Sequence, residues 1–204
     1  MKHQRQRPDV GARIDRSQTL HFRFNGKPYQ GFAGDTLASA LMANGVRLMG
    51  RSFKYHRPRG VLTSGSEEPN ALVELRSGAR QEPNTRATTA ELFDGLEARS
   101  QNRWSSLTFD AMAVNDRFSN FLTAGFYYKT FMRPAFLWPV YQKVLKKFAP
   151  GGEIHWKTST HGDYDKRYVH PDVLVAGGGP AGMGAALAAA DAGASVLLVE
   201  QYGD

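Results

Sequence analysis

The sequence predicts an α+β domain followed, across a helical connection, by the opening βαβ unit of an α/β domain. Three observations predict it. An alternating apolar strand runs into Asn25-Gly26 and is followed by a capped helix. A stretch crowded with aromatic residues and interrupted by proline fills the middle of the chain. Towards the C-terminal end a glycine-rich turn lies between an unbroken apolar strand and an alanine-rich helix.

Residues 1–16 read as a basic, poorly ordered arm carrying Lys2, Arg5, Arg7, Arg13 and Arg16. The first domain is expected over 17–100. Its first strand covers about 19–24, with Leu20, Phe22 and Phe24 on one face because strand side chains alternate. Asn25-Gly26 is a strong hairpin signal, since both residues tolerate positive φ, and the return strand is expected over 27–32. Asp35 or Thr36 then caps a helix by accepting from its free first-turn N–H groups. Leu37, Ala40 and Leu41 line one face of that helix, Ala38 and Met42 lie beside it, and Asn44-Gly45 ends it. Further strands are expected at 71–76 and at about 85–93, with Asp94-Gly95 as a second tight turn before residues 96–98. Hairpin, helix and further strands, in that order, describe a β-grasp domain.

Residues 101–170 read as an aromatic-rich helical linker. Phe118, Phe121, Phe126, Tyr127, Tyr128, Phe131, Phe136, Trp138, Tyr141 and Phe148 crowd it, and Pro134 and Pro139 predict short helices broken at the prolines. Two readings stand: the aromatics pack on the flanking domains, or they dock another subunit, since aromatic residues are enriched at interface hot spots. Residues 151–170 are polar and read as an exposed connection.

Residues 171–204 read as the start of a Rossmann domain. Val173-Leu174-Val175-Ala176 is the continuous apolar run of a parallel strand buried on both faces. Gly177-Gly178-Gly179-Pro180-Ala181-Gly182 follows, then an alanine-rich helix through Asp191, Gly193, and a second apolar strand over 195–199 ending at Glu200. In this pattern Gly177 permits the tight turn, Gly179 lets the backbone approach a diphosphate, and Gly182 lets helix and strand pack closely. The diphosphate of NAD or FAD belongs at the helix N-terminus, where unpaired N–H groups and the dipole favour anions. Glu200 is placed to accept from the adenosine ribose hydroxyls and to repel a 2′-phosphate, which disfavours NADP. The chain stops four residues past Glu200, so it reads as a truncated product whose C-terminal unit is marginally stable.

Composition excludes other classes. The net charge is +7, yet no nucleic-acid-binding motif accompanies it, so nucleic acid is not expected as a partner. The cations collect in the N-terminal arm, at Arg51, Lys54, Arg57 and Arg59, and at Lys143, Lys146 and Lys147, which suits cofactor phosphates or an acidic partner subunit. There is no cysteine, so disulfides, thiolate chemistry and a cysteine-ligated iron–sulfur cluster are excluded in this chain. The six histidines are scattered, without metal-ligand spacing, and no metal is expected. Without an N-terminal apolar stretch or a membrane-length apolar run, the expected location is the cytoplasm. The basic loop from Arg51 to Gly60 reads equally as a phosphate contact or as a solvated or subunit-facing loop, and His56 within it as an ordinary hydrogen-bonding residue. No catalytic residue is assigned.

Three long stretches carry a resemblance. They are Gly34-Asp-Thr-Leu-Ala-Ser-Ala-Leu-Met-Ala-Asn-Gly45-Val-Arg, Gly50-Arg-Ser-Phe-Lys-Tyr-His-Arg-Pro-Arg-Gly60, and Gly65-Ser-Glu-Glu-Pro-Asn-Ala-Leu-Val-Glu-Leu75. With Glu82-Pro-Asn-Thr-Arg-Ala-Thr88, Ser100-Gln-Asn-Arg-Trp104 and Gly125-Phe-Tyr-Tyr-Lys-Thr-Phe131, the sequence resembles the N-terminal region of the α subunit of heterotetrameric sarcosine oxidase. The resemblance implies a β-grasp domain related to 2Fe–2S ferredoxins, as in the small subunits of amine and opine dehydrogenases. In those relatives cysteines occupy the loop after the Arg-Gly segment and a position near an Arg-Ala dipeptide. Here residues 60–70 and Arg86-Ala87-Thr88 hold no sulfur, which implies a lost cluster site and disfavours the dehydrogenases.

The family's complex oxidises sarcosine to glycine and reduces oxygen to hydrogen peroxide. The methyl carbon leaves as formaldehyde or, with tetrahydrofolate, as 5,10-methylenetetrahydrofolate. The resemblance further implies β, γ and δ subunits as partners, FAD in the β subunit, FMN at the subunit interface, and NAD in this chain at Gly177, Gly178, Gly179, Pro180, Ala181, Gly182 and Glu200. A non-catalytic docking module, or the small subunit of a related dehydrogenase, are the alternatives.

Overall fold

Two units compose the chain, Met1–Thr160 and His161–Asp204. The computed structural model describes residues 7, 14–76, 81–120, 125, 133–148, 152 and 165–200.

In the first unit β1 (Asp15–Phe24) turns at Asn25-Gly26 into β2 (Lys27–Ala33), with φ of 52° and 78° at the two turn residues. Positive φ at both central positions gives a hairpin turn whose twist matches that of the strands. The Asn25 side chain also reaches the far neighbour of β1: its Oδ1 accepts from the backbone N–H of Ser100 at 2.9 Å. That neighbour is β7 (Leu96–Ser100), which runs parallel to β1. β5 (Leu72–Leu75) lies antiparallel to β7, and β6 (Glu82–Arg86) antiparallel to β5. The order β2-β1-β7-β5-β6, with its central parallel pair, is that of a β-grasp sheet. β3 (Gly50–Arg51) and β4 (Pro58–Arg59) form a separate small ribbon.

Helix α1 (Leu37–Ala43) lies on this sheet. Phe22, Phe24, Leu37, Leu41, Met49, Val73, Leu92 and Leu96 form one buried cluster. Thr36 caps the helix: its hydroxyl accepts from Ser39 N–H, and Ser39 Oγ accepts from Thr36 N–H, a reciprocal box with serine as the returning side chain. The cap at Asn44 and the φ of 79° at Gly45 end the helix as expected. Met42, expected beside the apolar face, is 45% exposed.

The strand expected at about 85–93 stops at Arg86. The residues beyond are used elsewhere. Leu37 N–H donates to Ala90 O and Ala38 N–H to Ala87 O, each at 2.8 Å, and Leu92 N–H donates to Asp35 O at 2.9 Å. The carbonyls of Ala87 and Ala90 therefore satisfy two of the orphan donors at the start of α1 instead of extending a ladder. The N-terminal arm is corrected too. β1 already begins at Asp15, and Arg7 is anchored in the fold, its guanidinium donating to both oxygens of Asp35 at 2.9 and 2.6 Å and lying 5.2 Å from the Phe32 ring centroid. The rest of residues 1–13 lies outside the described residues.

After β7 the chain forms a 3-10 segment (Ala111–Phe118), whose Asp110 cap accepts from Met112 N–H at 2.8 Å. A second 3-10 turn (Ala135–Leu137) leads into α2 (Trp138–Phe148). Pro139 does not break this helix. It sits in the first turn, where its missing N–H would have no partner anyway. Phe118, Phe136 and Trp138 are exposed. Phe121, Phe126, Tyr127, Tyr128 and Phe131 lie outside the described residues.

The second unit holds β8 (Val173–Ala176), α3 (Pro180–Asp191) and β9 (Val196–Val199), the strands parallel and in register from Val173↔Val196 to Ala176↔Val199. β8 was expected to be buried on both faces. Instead Leu174 is 62% exposed and α3 contributes no buried residue, because one helix covers only one face of two strands.

Asp35 is buried and accepts from Arg7, Phe32 N–H and Ser39 Oγ, so its removal takes a buried acceptor from all three. Asp35→Ala is expected to cost about 3–5 kcal/mol in urea unfolding of the first unit. An unfolding midpoint equal to that of the parent protein would contradict this account.

Candidate dinucleotide site

The glycine turn is built by contacts that tolerate no side chain at two positions. Gly177 leaves β8 with a φ of +107°, which an L side chain resists, and its N–H donates to Val199 O at 2.8 Å, tying the turn to β9. Five residues on, a Cβ at Gly182 would lie 1.9 Å from Gly177 O. The helix therefore approaches the strand backbone to a distance only glycine permits. Gly179 is different: it has extended backbone (φ −65°, ψ 173°) and open space around it. It stands at the N-cap of α3 with no side-chain cap bond, and Pro180 fills the first helical position. The first-turn N–H groups thus face a place with no capping side chain and room for a ligand.

Glu200 closes the site from β9. Gly178 N–H donates to its Oε2, and a Cβ at Gly178 would lie 3.0 Å from that oxygen. The structure therefore brings together all the residues singled out in sequence: Gly177, Gly178, Gly179, Pro180, Ala181 and Gly182 in one turn, with the Glu200 carboxylate at its edge. Sequence reasoning missed the latch at the opposite end of the strands. Ser195 N–H and Oγ donate to Asp172 Oδ2 at 2.8 and 2.7 Å, and Asp172 N–H donates to Ser195 Oγ at 3.0 Å. The Ser195 hydroxyl, then its N–H, hold the Asp172 carboxyl below its ordinary range. The only signal in the sequence is a short polar residue just before each apolar run.

The basic loop of the first unit is spent on its own chain. Arg51 donates to Leu107 O from Nε at 2.9 Å and to His56 O from Nη1 at 2.7 Å, and its Nε lies 3.7 Å from Asp110 Oδ2. Arg57 pairs with Asp116 at 2.6 Å, and Arg59 donates to Asn70 Oδ1 at 2.7 Å. His56 is fully buried, its Nδ1 3.0 Å from Asp110 Oδ2. Arg51 fits neither the phosphate-contact nor the solvated-loop reading, since it binds the carbonyl of Leu107, whereas Arg57 pairs with Asp116 while staying exposed, as in a solvated loop.

The two halves define the class first. Residues 17–103 match the 2Fe–2S iron–sulfur cluster binding domain family, and residues 172–204 match the FAD dependent oxidoreductase family. The chain is thus similar over 17–103 to a ferredoxin-type domain and over 172–204 to part of an FAD dependent oxidoreductase.

Full-length comparison narrows this. The chain is 57% identical over 189 residues, 92% of its length, to sarcosine oxidase subunit alpha of Rhizobium meliloti (strain 1021). It is 33% and 34% identical, over 94% and 93% of its length, to the subunits of that name from Corynebacterium sp. strains U-96 and P-1. It is thus a homologue of a portion of sarcosine oxidase subunit alpha, and spans 19% of the first relative's length and 15% of the other two. L-proline dehydrogenase from P. horikoshii is similar with a TM-score of 0.44 at 19% identity, over 90% of this chain and 25% of that one, too loose a likeness to bear on fold or function.

The cluster named by the first family does not fit these residues. Such a cluster is held by four thiolates, and the chain has no cysteine. Between residues 60 and 70, where the resemblance places part of the missing cysteine set, the buried side chain is the Glu68 carboxylate. Among the described residues no three His, Asp or Glu side chains are grouped to hold a metal, and no helix is long and apolar enough to cross a membrane.

The contrast between the glycines is testable. Gly182→Ala is expected to push α3 off β8 and cost about 1–3 kcal/mol, read as faster amide exchange in β8. Gly179→Ala, with nothing near the added methyl, should leave that exchange unchanged.

Proposed function

We propose that the chain is the N-terminal, NAD-binding part of a sarcosine oxidase α subunit. The observation that carries the NAD-binding role is the juxtaposition of an open, uncapped N-terminus of α3 at Gly179 with the Glu200 carboxylate at the edge of the same turn. The backbone N–H groups of the turn and of the first turn of α3 bind and orient a diphosphate. Glu200 accepts from the adenosine ribose hydroxyls and disfavours a 2′-phosphate, so NAD is preferred to NADP. When bound, NAD supplies a nicotinamide ring able to exchange a hydride.

On this reading the amine chemistry belongs to the assembly. The whole complex, with β, γ and δ subunits, oxidises sarcosine to glycine and passes electrons through FAD and an interfacial FMN to oxygen, giving hydrogen peroxide. The methyl carbon leaves as formaldehyde or as 5,10-methylenetetrahydrofolate. The exposed Phe109, Phe136, Trp138 and Val140 support subunit docking by the linker. The location that fits is the cytoplasm. A second reading has one observation in its favour: the family matched over 172–204 is named for FAD, so the dinucleotide held at the turn would be FAD rather than NAD. Both ligands share the ADP moiety that the turn recognises.

Calorimetric titration of the purified protein with NAD, NADP, FAD and ADP-ribose separates these readings. NAD and ADP-ribose are expected to bind, NADP at least tenfold more weakly, and Gly179→Val to abolish binding while the fold persists. Saturable binding of FAD without NAD establishes the second reading, and equal affinity in the Gly179→Val protein removes both. The assembly recovered with the protein from its native cells is expected to release peroxide when sarcosine is added.

A further inference from the structure

Glu68 stands out among the charged residues because its side chain is buried and serves only its own loop. The residue is 1% exposed. Oε2 accepts from Leu62 N–H and Thr63 N–H, both at 2.7 Å, and Oε1 from Asn70 N–H at 2.6 Å and Ala71 N–H at 3.0 Å. Four backbone donors from both arms of the loop converge on one carboxylate, and all are main chain, so the geometry is a property of the loop path. The adjacent strand end is stitched to the same loop. Arg86 Nε donates to Glu68 O at 3.2 Å, Ala87 N–H to Ala71 O at 2.9 Å, and Thr88 Oγ1 to Gly65 O at 2.6 Å. These are the two stretches where the resemblance implies ligating cysteines, and they meet around a negative charge supplied by the chain.

We propose that Glu68 is an internal anion that takes the place of the cluster: the loop from Val61 to Ala71 is a four-donor receptor for one carboxylate, occupied by its own side chain, and the β-grasp domain is built as an iron-free scaffold. Four N–H groups turned inward with no acceptor would destabilise the loop, since each unsatisfied donor carries its desolvation cost. An anionic cluster can satisfy such donors in an iron-bearing domain; a carboxylate does so here. Burial pushes the Glu68 carboxyl up, but the four N–H bonds outweigh it and hold the group below its usual range. The sign follows. The stabilisation is fully present above the unfolded glutamate value of about 4.3 and is lost as pH falls through the lower folded value.

Chemical rescue tests the proposal on the purified protein. Glu68→Ala leaves a small cavity faced by four N–H groups, and its Tm is expected to fall by roughly 10 °C. Formate or acetate should restore part of that loss, whereas chloride at the same ionic strength should not, and the parent protein should respond to neither. Glu68→Gln, of nearly the same shape but with one acceptor oxygen, should melt below the parent. A Glu68→Gln protein that melts with the parent, or a Glu68→Ala protein indifferent to formate, overturns the proposal. Should neither variant fold, the parent decides by NMR. The amide protons of Leu62, Thr63, Asn70 and Ala71 should titrate together, with a midpoint below the ordinary glutamate range. Separate transitions, or a shared midpoint at or above the ordinary range, overturn it. So does stoichiometric uptake of iron after incubation with ferrous iron and sulfide.

Discussion

A buried carboxylate must be met by donors, and the first unit meets that constraint three times. Asp35, Glu68 and Asp110 all lie within the fold. Asp35 and Asp110 gather segments distant in sequence. Asp35 joins the end of β2 and the start of α1 to Arg7, while Glu68 closes its own loop on itself. Asp110 accepts from Trp104 N–H and Met112 N–H and faces His56 and Arg51 across the ribbon of β3 and β4. The apolar cluster of Phe22, Leu37, Leu41, Val73 and Leu96 holds sheet to helix, but it is non-directional and leaves loop paths underdetermined. The carboxylates supply direction. A loop that slips by one residue loses its donors and leaves a charge buried alone, which costs several kcal/mol.

What was legible in the sequence follows the same division. Alternation placed Leu20, Phe22 and Phe24; Asn25-Gly26 placed the hairpin; Thr36 and Gly45 bounded the helix. All are local signals written within a few residues of the structure they specify. The strand expected through residue 93 failed because the carbonyls of Ala87 and Ala90 accept from the first N–H groups of α1, some fifty positions earlier in the chain, and no local pattern records that use. Glu67 and Glu68 are identical neighbours in a polar loop. One is exposed and the other 1% exposed, a difference set entirely by which carboxylate the loop curls around. Arg7 looked like one more cation of a loose arm for the same reason: its partner, Asp35, lies 28 residues away.

The glycine turn was legible because its constraints are steric and short-range. Gly177 and Gly182 are five residues apart and touch through backbone alone, so their spacing is the geometry. Glu200 was legible as an acid at the end of the second strand, yet its bond to Gly178 N–H depends on how the strands pair, and the Asp172–Ser195 latch depends on it equally. The basic loop misled in the opposite sense. A run of Arg51, Lys54, Arg57 and Arg59 suggests an anion from outside, but Asp110, Asp116 and carbonyls of the following segment are the partners of Arg51 and Arg57.

The two units differ in what holds them, and that bears on binding. The first has a closed core and buried charges at fixed positions. The second has its turn geometry fixed by Gly177, Gly182 and the latch, while Leu174, Leu187 and Val199 remain largely exposed. The relatives run five to seven times longer than this chain, so the counterpart of this unit in them has more chain with which to cover such faces. A ligand binds in proportion to the fraction of molecules whose site is formed, so a two-stranded unit that frays binds more weakly than its geometry alone allows. If the turn holds an ADP-containing ligand as proposed, the affinity of this chain is a lower bound on what the same turn achieves on a fully covered sheet. Any gain on covering that sheet comes from a larger formed fraction, with no new contact to the ligand.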